Sequence, residues 1–275
     1  GKSMPNQAEK CARFVELHAR DGAFLIPNPW DVGSARLLES LGFEAIATTS
    51  AGLANAIGCV DGEVTLEDKL EHCTRLALGT SIPINVDFEN GFADDPKAVA
   101  KNLLRLAETG VAGCSVEDFS RDAHVLYDFN LAVERVQAAA EAVASLAIPL
   151  QLTARAENIL RGVDDLDDTI ARLQAFSAAG ADVLYAPGLN SLAQIHQVVA
   201  EIDKPFNVLA VFFQGVSVSD LAAAGAKRIS LGSALNWATI NPLLIASKEM
   251  LDKGTFNWMG SMASRKKVEK LLSQA

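Results

Sequence analysis

The chain has few of the residues that characterise several large classes of protein. Only 6% of its 275 residues are aromatic, and 34 acidic residues outnumber 24 basic ones, which gives a net charge of −10. This excess of negative charge disfavours nucleic acid and anionic membrane surfaces as partners. The longest apolar runs, such as residues 208–213, are far shorter than the roughly 20 residues that cross a bilayer. We therefore predict no nucleic-acid partner and no membrane-spanning segment.

The cysteine and histidine patterns of common metal and nucleophile sites are also missing. The four cysteines have no C-x-x-C spacing, and the chain has no H-E-x-x-H, Walker or G-x-G-x-x-G motif and no Ser-His-Asp order. In a chain of this size, such cysteines are reduced thiols rather than a disulfide framework. Because no secretory leader is recognisable either, we predict a cytoplasmic location.

Regularly spaced strand signals are what the chain does have. Hydrophobic residues make up 49% of it, and they are mostly the Ala, Val, Leu and Ile of parallel strands and covering helices. Gly after a helix, or Pro before an extended segment, ends a helix and starts a strand. Together with the first run at residues 23–28, these marks predict eight strands; the marks themselves are Gly42, Pro83, Gly110, Pro149, Gly180, Pro205 and Gly225.

Eight strands alternating with helical segments predict an α/β TIM (β/α)8 barrel. An open doubly wound sheet is the alternative, because periodicity does not distinguish an open sheet from a closed one. No linker interrupts the series, so we expect a single domain over residues 1–275. It would consist of a helix near residues 5–20, a barrel over 23–252 and a helical tail over 253–275. The tail is too polar to close on this barrel, and we expect it to pack on a neighbouring subunit.

Polar residues stand at the ends of the predicted strands, where barrel enzymes place their catalytic groups. Asp87 and Glu89 are two residues apart, so in a strand they would share one face. With Glu117 they form a set of hard oxygen ligands, which suits Mg²⁺ or Mn²⁺ better than zinc. The alternative is that these carboxylates pair with arginines or cap loops. The other strand-end residues are Asn28, Thr48, Thr49, Ser50, Asp118, Arg155, Glu157 and Asn207.

Arg155 lies in the fifth strand and needs an anion, because an unpaired buried guanidinium is costly. Its partner could be one of the carboxylates, or a substrate carboxylate or phosphonate bound in bidentate fashion. The segment 48–62, which is rich in small residues and carries Asp61 near its end, could bring backbone N–H groups close to an anionic ligand, although an ordinary turn is the simpler interpretation. Among the histidines, only His124 lies in a loop after a strand, from which it could reach a ligand.

Four motifs in order make the chain resemble the isocitrate lyase and phosphoenolpyruvate mutase superfamily, including its carboxyvinyl-carboxyphosphonate phosphorylmutase and oxaloacetate decarboxylase branches. They are PNPWDVGSARLLESLGFEAIATTS, VDFENGF, GCSVED and LTARAE. The resemblance implies that Asp87, Glu89 and Glu117 hold Mg²⁺ directly or through water, with Mn²⁺ as a substitute. It also implies that Arg155 binds the substrate carboxylate and that Asp61 lies near the metal and the reacting groups. Glu117 is counted with them as catalytic; Thr49, Ser50, Ala51, Asn207 and His124 are the further candidates for substrate binding.

The chain also departs from the patterns of this superfamily. The loop after strand four, FSRDAHVLYDFN, has neither the K-[KR]-C-G-H motif of the lyases nor the K-T-N lid of the phosphonate enzymes. The histidine that some decarboxylases carry after strand eight is replaced by SLGSALNWA. What the resemblance supports best is a Mg-dependent lyase that acts on a small 2-oxo acid through a metal-stabilised enolate.

The reaction would be a C–C cleavage, such as oxaloacetate decarboxylation or cleavage of the 2-methylisocitrate type. Alternatives are an enzyme of phosphonate P–C bonds, as in phosphonomutases or phosphonopyruvate hydrolases, or a non-catalytic relative that binds a 2-oxo acid. The resemblance also implies a homodimer or homotetramer with C-terminal helices swapped between subunits.

Overall fold

Parallel strands and helices alternate along the part of the chain described by the computed structural model, residues 3–274. The predicted domain also includes residues 1, 2 and 275, which lie outside the described residues. The strands are β1 Phe24–Ile26, β2 Ile46–Ala47, β3 Ile84–Asp87, β4 Gly113–Glu117, β5 Gln151–Arg155, β6 Val183–Tyr185, β7 Phe206–Leu209 and β8 Arg228–Ser230. The helices are α1 Gln7–Ala19, α2 Val32–Ser40, α3 Ser50–Ile57, α4 Leu66–Gly79, α5 Pro96–Ala107, α6 Phe129–Ala144, α7 Leu166–Ala178, α8 Leu192–Val199, α9 Val218–Ala224, α10 Ala234–Lys253 and α11 Arg265–Gln274.

The eight strands form one parallel sheet that curves into a nearly closed barrel. Their order is β1-β8-β7-β6-β5-β4-β3-β2, so the first strand pairs with the last. Across the remaining seam, the N–H of Ala47 donates to the carbonyl of Pro27 at 3.0 Å. The predicted TIM barrel and all eight predicted strands are therefore confirmed.

Local signals place the helix boundaries where the sequence pattern predicts them. Helix α5 starts at Pro96, and the side chain of Asp95 accepts a hydrogen bond from the backbone of Ala98. Gly225 ends α9 with φ of 114°, a left-handed conformation that favours glycine. A Cβ at this position would also lie 2.7 Å from the side chain of Val199. Asp95 and Pro96 thus fix the start of α5, and Gly225 fixes the end of α9 before β8.

The amino-terminal end of the barrel is closed by α1 and by a buried, mainly polar group that we call the floor cluster: Phe14, His18, Thr153, Asn207 and Arg228. The Arg228 guanidinium donates to Asn207 Oδ1 at 2.7 Å and Thr153 Oγ1 at 2.9 Å, and lies 3.2 Å from His18 Nε2. Among the described residues it forms no ion pair with a carboxylate. Burial, reinforced by the charge of Arg228, lowers the pKa of His18 to about 3. Burial lowers the pKa of Arg228 to about 10.

The C-terminal tail differs from the prediction in one respect. Helix α11 packs on α2 of its own chain: Ser40 Oγ donates to the carbonyl of Leu271 at 2.6 Å, and Arg36 donates to that of Leu272 at 3.1 Å. The expectation that the tail would not close on its own barrel was therefore wrong for this helix, because backbone carbonyls at its end find donors on α2. Exchange of helices between subunits stays a prediction.

Helix α10 buries little of its own apolar surface. Asn236 is its one buried residue in the described chain, and its large exposed side chains are Trp237, Leu243, Leu244, Ile245, Met250 and Leu251. Apolar as α10 is, no helix within residues 3–274 combines the length and hydropathy needed to cross a membrane.

Candidate active site

The main candidate site is a cleft of about 390 Å³ that contains Asp87 and Glu117, the last residues of β3 and β4. Its lining is unusually rich in charged side chains for so small a volume. It consists of Ser50, Asp61, Gly62, Asp87, Glu89, Glu117, Phe119, Arg121, His124, Arg155, Leu160 and Arg161. The carboxyl ends of the strands thus bring together the acids and the arginine that the sequence predicted, as expected for a barrel of this kind.

Asp87 and Glu89 reach the cleft by a different route from the one predicted. Strand β3 ends at Asp87, and Glu89 has a left-handed backbone with φ of 52°. The two acids are therefore not neighbours on one strand face, because the chain has already turned into the loop at Glu89. The turn is fixed by two hydrogen bonds: the Glu89 N–H donates to Asp87 Oδ1 at 3.3 Å, and the Glu89 carbonyl accepts from the Glu117 N–H at 2.9 Å. A strained non-glycine residue at such a place is typical of functional sites.

Lys69 is a site residue that the sequence analysis missed. Its side chain is fully buried, and its Nζ donates to Ser50 Oγ at 2.7 Å and to the carbonyl of Asp87 at 3.1 Å. Glu89 Oε2 lies 3.8 Å from the same Nζ. A signal for it exists, because Lys69 stands three residues after Leu66 on the apolar stripe of α4, where a lysine is unusual.

Arg155 is surrounded by three carboxylates. Its guanidinium lies 2.7 Å from Glu157 Oε1, 3.3 Å from Asp87 Oδ1 and 3.8 Å from Glu117 Oε1. Although burial works in the opposite direction, these carboxylates raise the pKa of Arg155 well above its ordinary value. Pairing with carboxylates, one of the two predicted alternatives, is thus the arrangement observed. The role of Arg155 towards a substrate stays a prediction.

Two further arginines complete the charges of the cleft. Arg161 Nη2 lies 3.1 Å from Glu117 Oε2, and Arg121 Nε lies 3.2 Å from Glu89 Oε1. Arg121 also donates to the carbonyl of Gly62 at 2.7 Å, which holds the loop next to Asp61 against the loop after β4. Both arginines follow strand ends in the sequence, and that position was the available signal for them. We call the set Lys69, Asp87, Glu89, Glu117, Arg121, Arg155, Glu157 and Arg161 the mouth cluster.

Crowding and burial separate the pKa values of the acids. Burial opposes the ionisation of Asp87, but the charges of Arg155 and Lys69 outweigh it and hold the pKa of Asp87 below its ordinary value. Burial raises the pKa of Glu89 to about 7. Burial and the neighbouring Glu157 raise the pKa of Glu117 well above its ordinary value. Acids with such divided pKa values in one cleft are a common feature of catalytic sites.

The donor set fits a hard divalent cation held partly through water. Among residues 3–274, no three His, Cys, Asp or Glu side chains are already grouped to hold a metal ion. The acids of the cleft nevertheless supply oxygen ligands, and Glu89 Oε2 is buried without a hydrogen-bond partner among the described residues. Mg²⁺ typically uses one or two carboxylates and keeps several waters, whereas structural zinc requires a closed set of nitrogen and sulfur ligands. Asp87, Glu89 and Glu117 are the residues that could hold it.

The cleft gathers most, but not all, of the predicted site residues. Seven of them line it: Ser50, Asp61, Asp87, Glu89, Glu117, His124 and Arg155. Thr49 and Asn207 line a smaller cavity of about 50 Å³ inside the barrel, which shares Asp87 and Arg155 with the cleft. The Asn207 amide donates to Ser230 Oγ at 3.0 Å and accepts from Arg228. Ala51 lines neither space. The roles of all these residues stay predictions.

The loop after β4, residues 118–128, is held in place by backbone contacts within it. Its backbone forms a bridge between Phe119 and Leu126, and the Ser120 N–H donates to the carbonyl of Val125 at 2.9 Å. His124, with φ of 54°, points from this loop into the cleft lining. No cysteine is among the residues that line the cleft, and all four thiols of the chain are free.

Fold and cleft together define an α/β-barrel protein with a carboxylate-rich site at the carboxyl ends of its strands. The family model described as phosphoenolpyruvate phosphomutase matches residues 14–251. The chain therefore belongs to the phosphoenolpyruvate mutase family, within the superfamily that also contains isocitrate lyase. This confirms the resemblance inferred from the four sequence motifs.

Three known proteins illustrate what the chain is similar to. A structure from Burkholderia cenocepacia J2315, provisionally described as a lyase/mutase, has 44% identity and a TM-score of 0.92, over 96% of this chain and 95% of that one. Oxaloacetate decarboxylase of Pseudomonas entomophila (strain L48) is 26% identical over 86% of this chain and 84% of its own length. A phosphonopyruvate hydrolase, solved with oxalate and Mg²⁺, has 18% identity and a TM-score of 0.83, over 98% and 96% of the two chains. Lyase or mutase chemistry is the class of activity that these relatives support.

Proposed function

We propose that the protein is a Mg-dependent decarboxylase of oxaloacetate or a closely similar 2-oxo dicarboxylate. The observation that carries this proposal is the convergence of Asp87, Glu89 and Glu117 with Arg155 and Arg161 in one small cleft. Carboxylates suit a hard cation, and guanidinium groups suit the carboxylates of a dianionic substrate. The oxaloacetate decarboxylase relative adds support, because it matches most of both chains.

In this proposal, the arginines bind and orient the substrate. Arg155 holds the carboxylate next to the 2-oxo group, and Arg161, which is partly exposed at the rim, faces the second carboxylate. Decarboxylation breaks the bond between the second carboxylate and the adjacent carbon, releases CO₂ and moves the electron pair towards the 2-oxo oxygen. A proton then adds to that carbon to give the 2-oxo acid product.

Asp87, Glu89 and Glu117 would hold the divalent cation. Mg²⁺, when bound, would supply positive charge next to the 2-oxo oxygen, where negative charge develops. Asp61 lies at the rim of the same cleft, and burial and Asp87 raise its pKa. A carboxyl group that is more readily protonated is suited to deliver the final proton, so we assign that role to Asp61.

The loop after β4 favours decarboxylation over cleavage of an isocitrate-type substrate. The lyases that the chain resembles carry the cysteine of K-[KR]-C-G-H in this loop, and no thiol lines this cleft. Decarboxylation of a 2-oxo acid needs only charge stabilisation and one proton. The side chains that this loop contributes to the cleft, Phe119, Arg121 and His124, can exclude water and bind an anion.

A turnover assay tests the proposal directly. Purified protein with Mg²⁺ would be offered oxaloacetate, 2-methylisocitrate, isocitrate and phosphonopyruvate in parallel, with pyruvate, glyoxylate and phosphate as readouts. We expect pyruvate from oxaloacetate at a rate well above the spontaneous and Mg²⁺-only backgrounds, and loss of that rate in EDTA. Phosphate from phosphonopyruvate would instead assign P–C chemistry. Tight 2-oxo-acid binding without turnover would make the protein a non-catalytic relative.

We further propose that two copies of the chain exchange α10. The exposed apolar side chains of α10 and the segment Asn257–Ser261 enclose a groove of about 710 Å³ that includes Leu243, Ile245 and Met262. Exposed apolar side chains clustered around one groove indicate a site of interaction with another chain. Leu243→Glu should convert the assembly to monomers in light-scattering measurements, whereas Leu78→Glu, at an exposed site elsewhere, should not. A monomeric wild-type protein would contradict the proposal.

A further inference from the structure

The ammonium group of Lys69 stands among the residues assigned to the divalent cation. Its side chain has no solvent exposure, which is rare for lysine unless the charge is paired. The Nζ atom is bound by two neutral oxygens, Ser50 Oγ and the carbonyl of Asp87, at 2.7 and 3.1 Å. Its nearest carboxylate is Glu89, at 3.8 Å. Within residues 3–274, the only carboxylate at ion-pair distance from Lys69 is thus a proposed metal ligand.

Glu89 is held between two protein cations. Arg121 Nε lies 3.2 Å from Oε1, and Lys69 Nζ lies 3.8 Å from Oε2. Oε2 accepts no hydrogen bond, so the attraction between it and Lys69 is electrostatic and leaves the lone pairs of this oxygen free. A divalent cation that bound Glu89 would therefore approach an oxygen that already faces an ammonium group, and the two cations would repel each other.

We propose that Lys69 is a built-in competitor of the divalent cation: its charge balances Glu89 in the metal-free protein and weakens metal binding at this site. The inference rests on the metal site of the proposed function. Lys69 is a positioning residue in this scheme, because it also fixes the Ser50 hydroxyl and the end of β3. The protein would bind its metal weakly and exchange it readily, and the metal-free fold would stay intact.

Lys10 provides a matched control within the same chain. It is also a buried lysine, and its Nζ donates to the carbonyls of Ala77 and Thr80, each at 2.9 Å. Unlike Lys69, it makes no ion pair among the described residues and contacts none of the residues that line the cleft. Removal of Lys10 thus tests the loss of a buried ammonium group without a change in the charge of the site.

The experiment measures Mn²⁺ affinity by calorimetry and by electron paramagnetic resonance in the wild type and four variants. Lys69→Met and Lys69→Gln should bind Mn²⁺ about tenfold more tightly or better, because a cation a few ångströms away is removed. Lys69→Arg keeps the charge, and Lys10→Met leaves the site unchanged, so both should stay within about threefold of the wild type. Unchanged or weaker binding in the two neutral Lys69 variants would overturn the proposal.

Thermal unfolding with and without Mn²⁺ provides a second readout, which does not depend on activity. Saturating Mn²⁺ should raise the melting temperature of Lys69→Met and Lys69→Gln more than that of the wild type, because the ion replaces the lost positive charge. Neutral variants that stay unfolded even with Mn²⁺ would count against the proposal. If the wild type binds Mn²⁺ with the same affinity as the variants, only the proposed role of Lys69 is refuted. Absence of Mn²⁺ binding in every protein refutes the metal site as well.

Discussion

The two ends of the barrel surround a buried arginine with different kinds of partner. In the floor cluster, Arg228 is compensated by the neutral acceptors Asn207, Thr153 and His18. In the mouth cluster, Arg155 lies among carboxylates that also repel one another. The floor is thus a satisfied polar network, whereas the mouth crowds several carboxylates and several cations into one small space.

This difference between the two clusters indicates that the floor cluster serves stability and the mouth cluster serves function. A buried network in which each polar side-chain atom has a partner stabilises one packing arrangement. Crowded carboxylates repel one another even where cations lie among them, and such strain is typical of sites that a ligand can relieve. At the mouth, Glu89 Oε2 and Glu157 Oε2 are buried without a hydrogen-bond partner among the described residues, and Glu157 Oε1 is held by its ion pair with Arg155. We therefore expect substitutions at the mouth to affect activity first, and substitutions at the floor to affect stability first.

Substitution of Arg155, the buried arginine of the mouth cluster, should have the largest effect, and the effect should be on activity. Arg155→Gln should lower kcat/KM for oxaloacetate by about a thousandfold or more, since a charge-assisted contact to the substrate is lost in a desolvated site. The measurement is a steady-state pyruvate assay, with Arg20→Gln as the control, because Arg20 pairs with Glu44 on the exposed surface. A loss of less than tenfold would remove Arg155 from the substrate site.

Substitution of Arg228, in the floor cluster, should have the next largest effect. It should lower the stability of the protein rather than its reaction rate. Arg228→Met leaves three buried polar partners without their donor or neighbour, and we expect a loss of about 3 kcal/mol in the free energy of unfolding. Urea unfolding followed by circular dichroism measures it. Arg75→Met, which removes an exposed pair with Glu71, should cost about 0.5 kcal/mol or less. Equal losses in the two variants would contradict the assignment of Arg228 to a structural network.

Glu89 should make the metal-free protein less stable as the pH rises. Its folded pKa of about 7 lies above its ordinary value of 4.5, so the folded state binds the proton more tightly. Stability is therefore full below pH 4.5 and is lost as the pH rises towards 7. At pH 8 in EDTA, we expect Glu89→Gln to be about 2 kcal/mol more stable than the wild type.

Urea titrations of both proteins at several pH values, all in chelator, measure this difference. The gain from Glu89→Gln should disappear below pH 4.5, where the wild-type carboxyl is protonated in both the folded and unfolded states. A gain that is independent of pH would show that the charge of Glu89 is not its origin.

The smallest expected effect is the pH dependence of the stability that the floor cluster contributes, which is opposite in sign to that of Glu89. His18 has a folded pKa of about 3, below its ordinary 6.5, so the folded state resists protonation. Its contribution to stability is present above pH 6.5 and is lost as the pH falls towards 3. At pH 5.5, the wild type should have lost about 1 kcal/mol from this group relative to pH 7.5. In His18→Gln this part of the acid-induced loss should be missing, and an unchanged slope would contradict it.

Particular residues show how far the sequence could predict this site. Asp87, Glu117 and Arg155 were predictable because each stands at the end of a strand, and the ends of parallel strands in a barrel meet. Glu89 was predicted in the correct cleft but in a strand conformation, whereas its backbone is left-handed and lies beyond the end of β3. Alternation along a strand does not indicate where the strand ends. Lys69 was missed because helical periodicity assigns a face, and a lysine on an apolar face has no predictable partner.

The C-terminal region shows the same limit on a larger scale. The sequence predicted a helical tail after residue 253, and α11 is there. That α11 would dock on α2 of its own chain depended on backbone carbonyls at Leu271 and Leu272 meeting donors more than two hundred residues away. No local pattern encodes such a contact.

By itself, the sequence determined the eight strand-and-helix units, the helix boundaries at glycine and proline, and the strand ends that carry the acids. These features follow from local backbone preferences and periodicity, which act over a few residues. The tertiary structure decided which charges neutralise one another: Arg155 with Glu157, Arg161 with Glu117, and Lys69 beside Glu89. Electrostatic energy depends on separation in space and on burial, and both exist only once the barrel has closed.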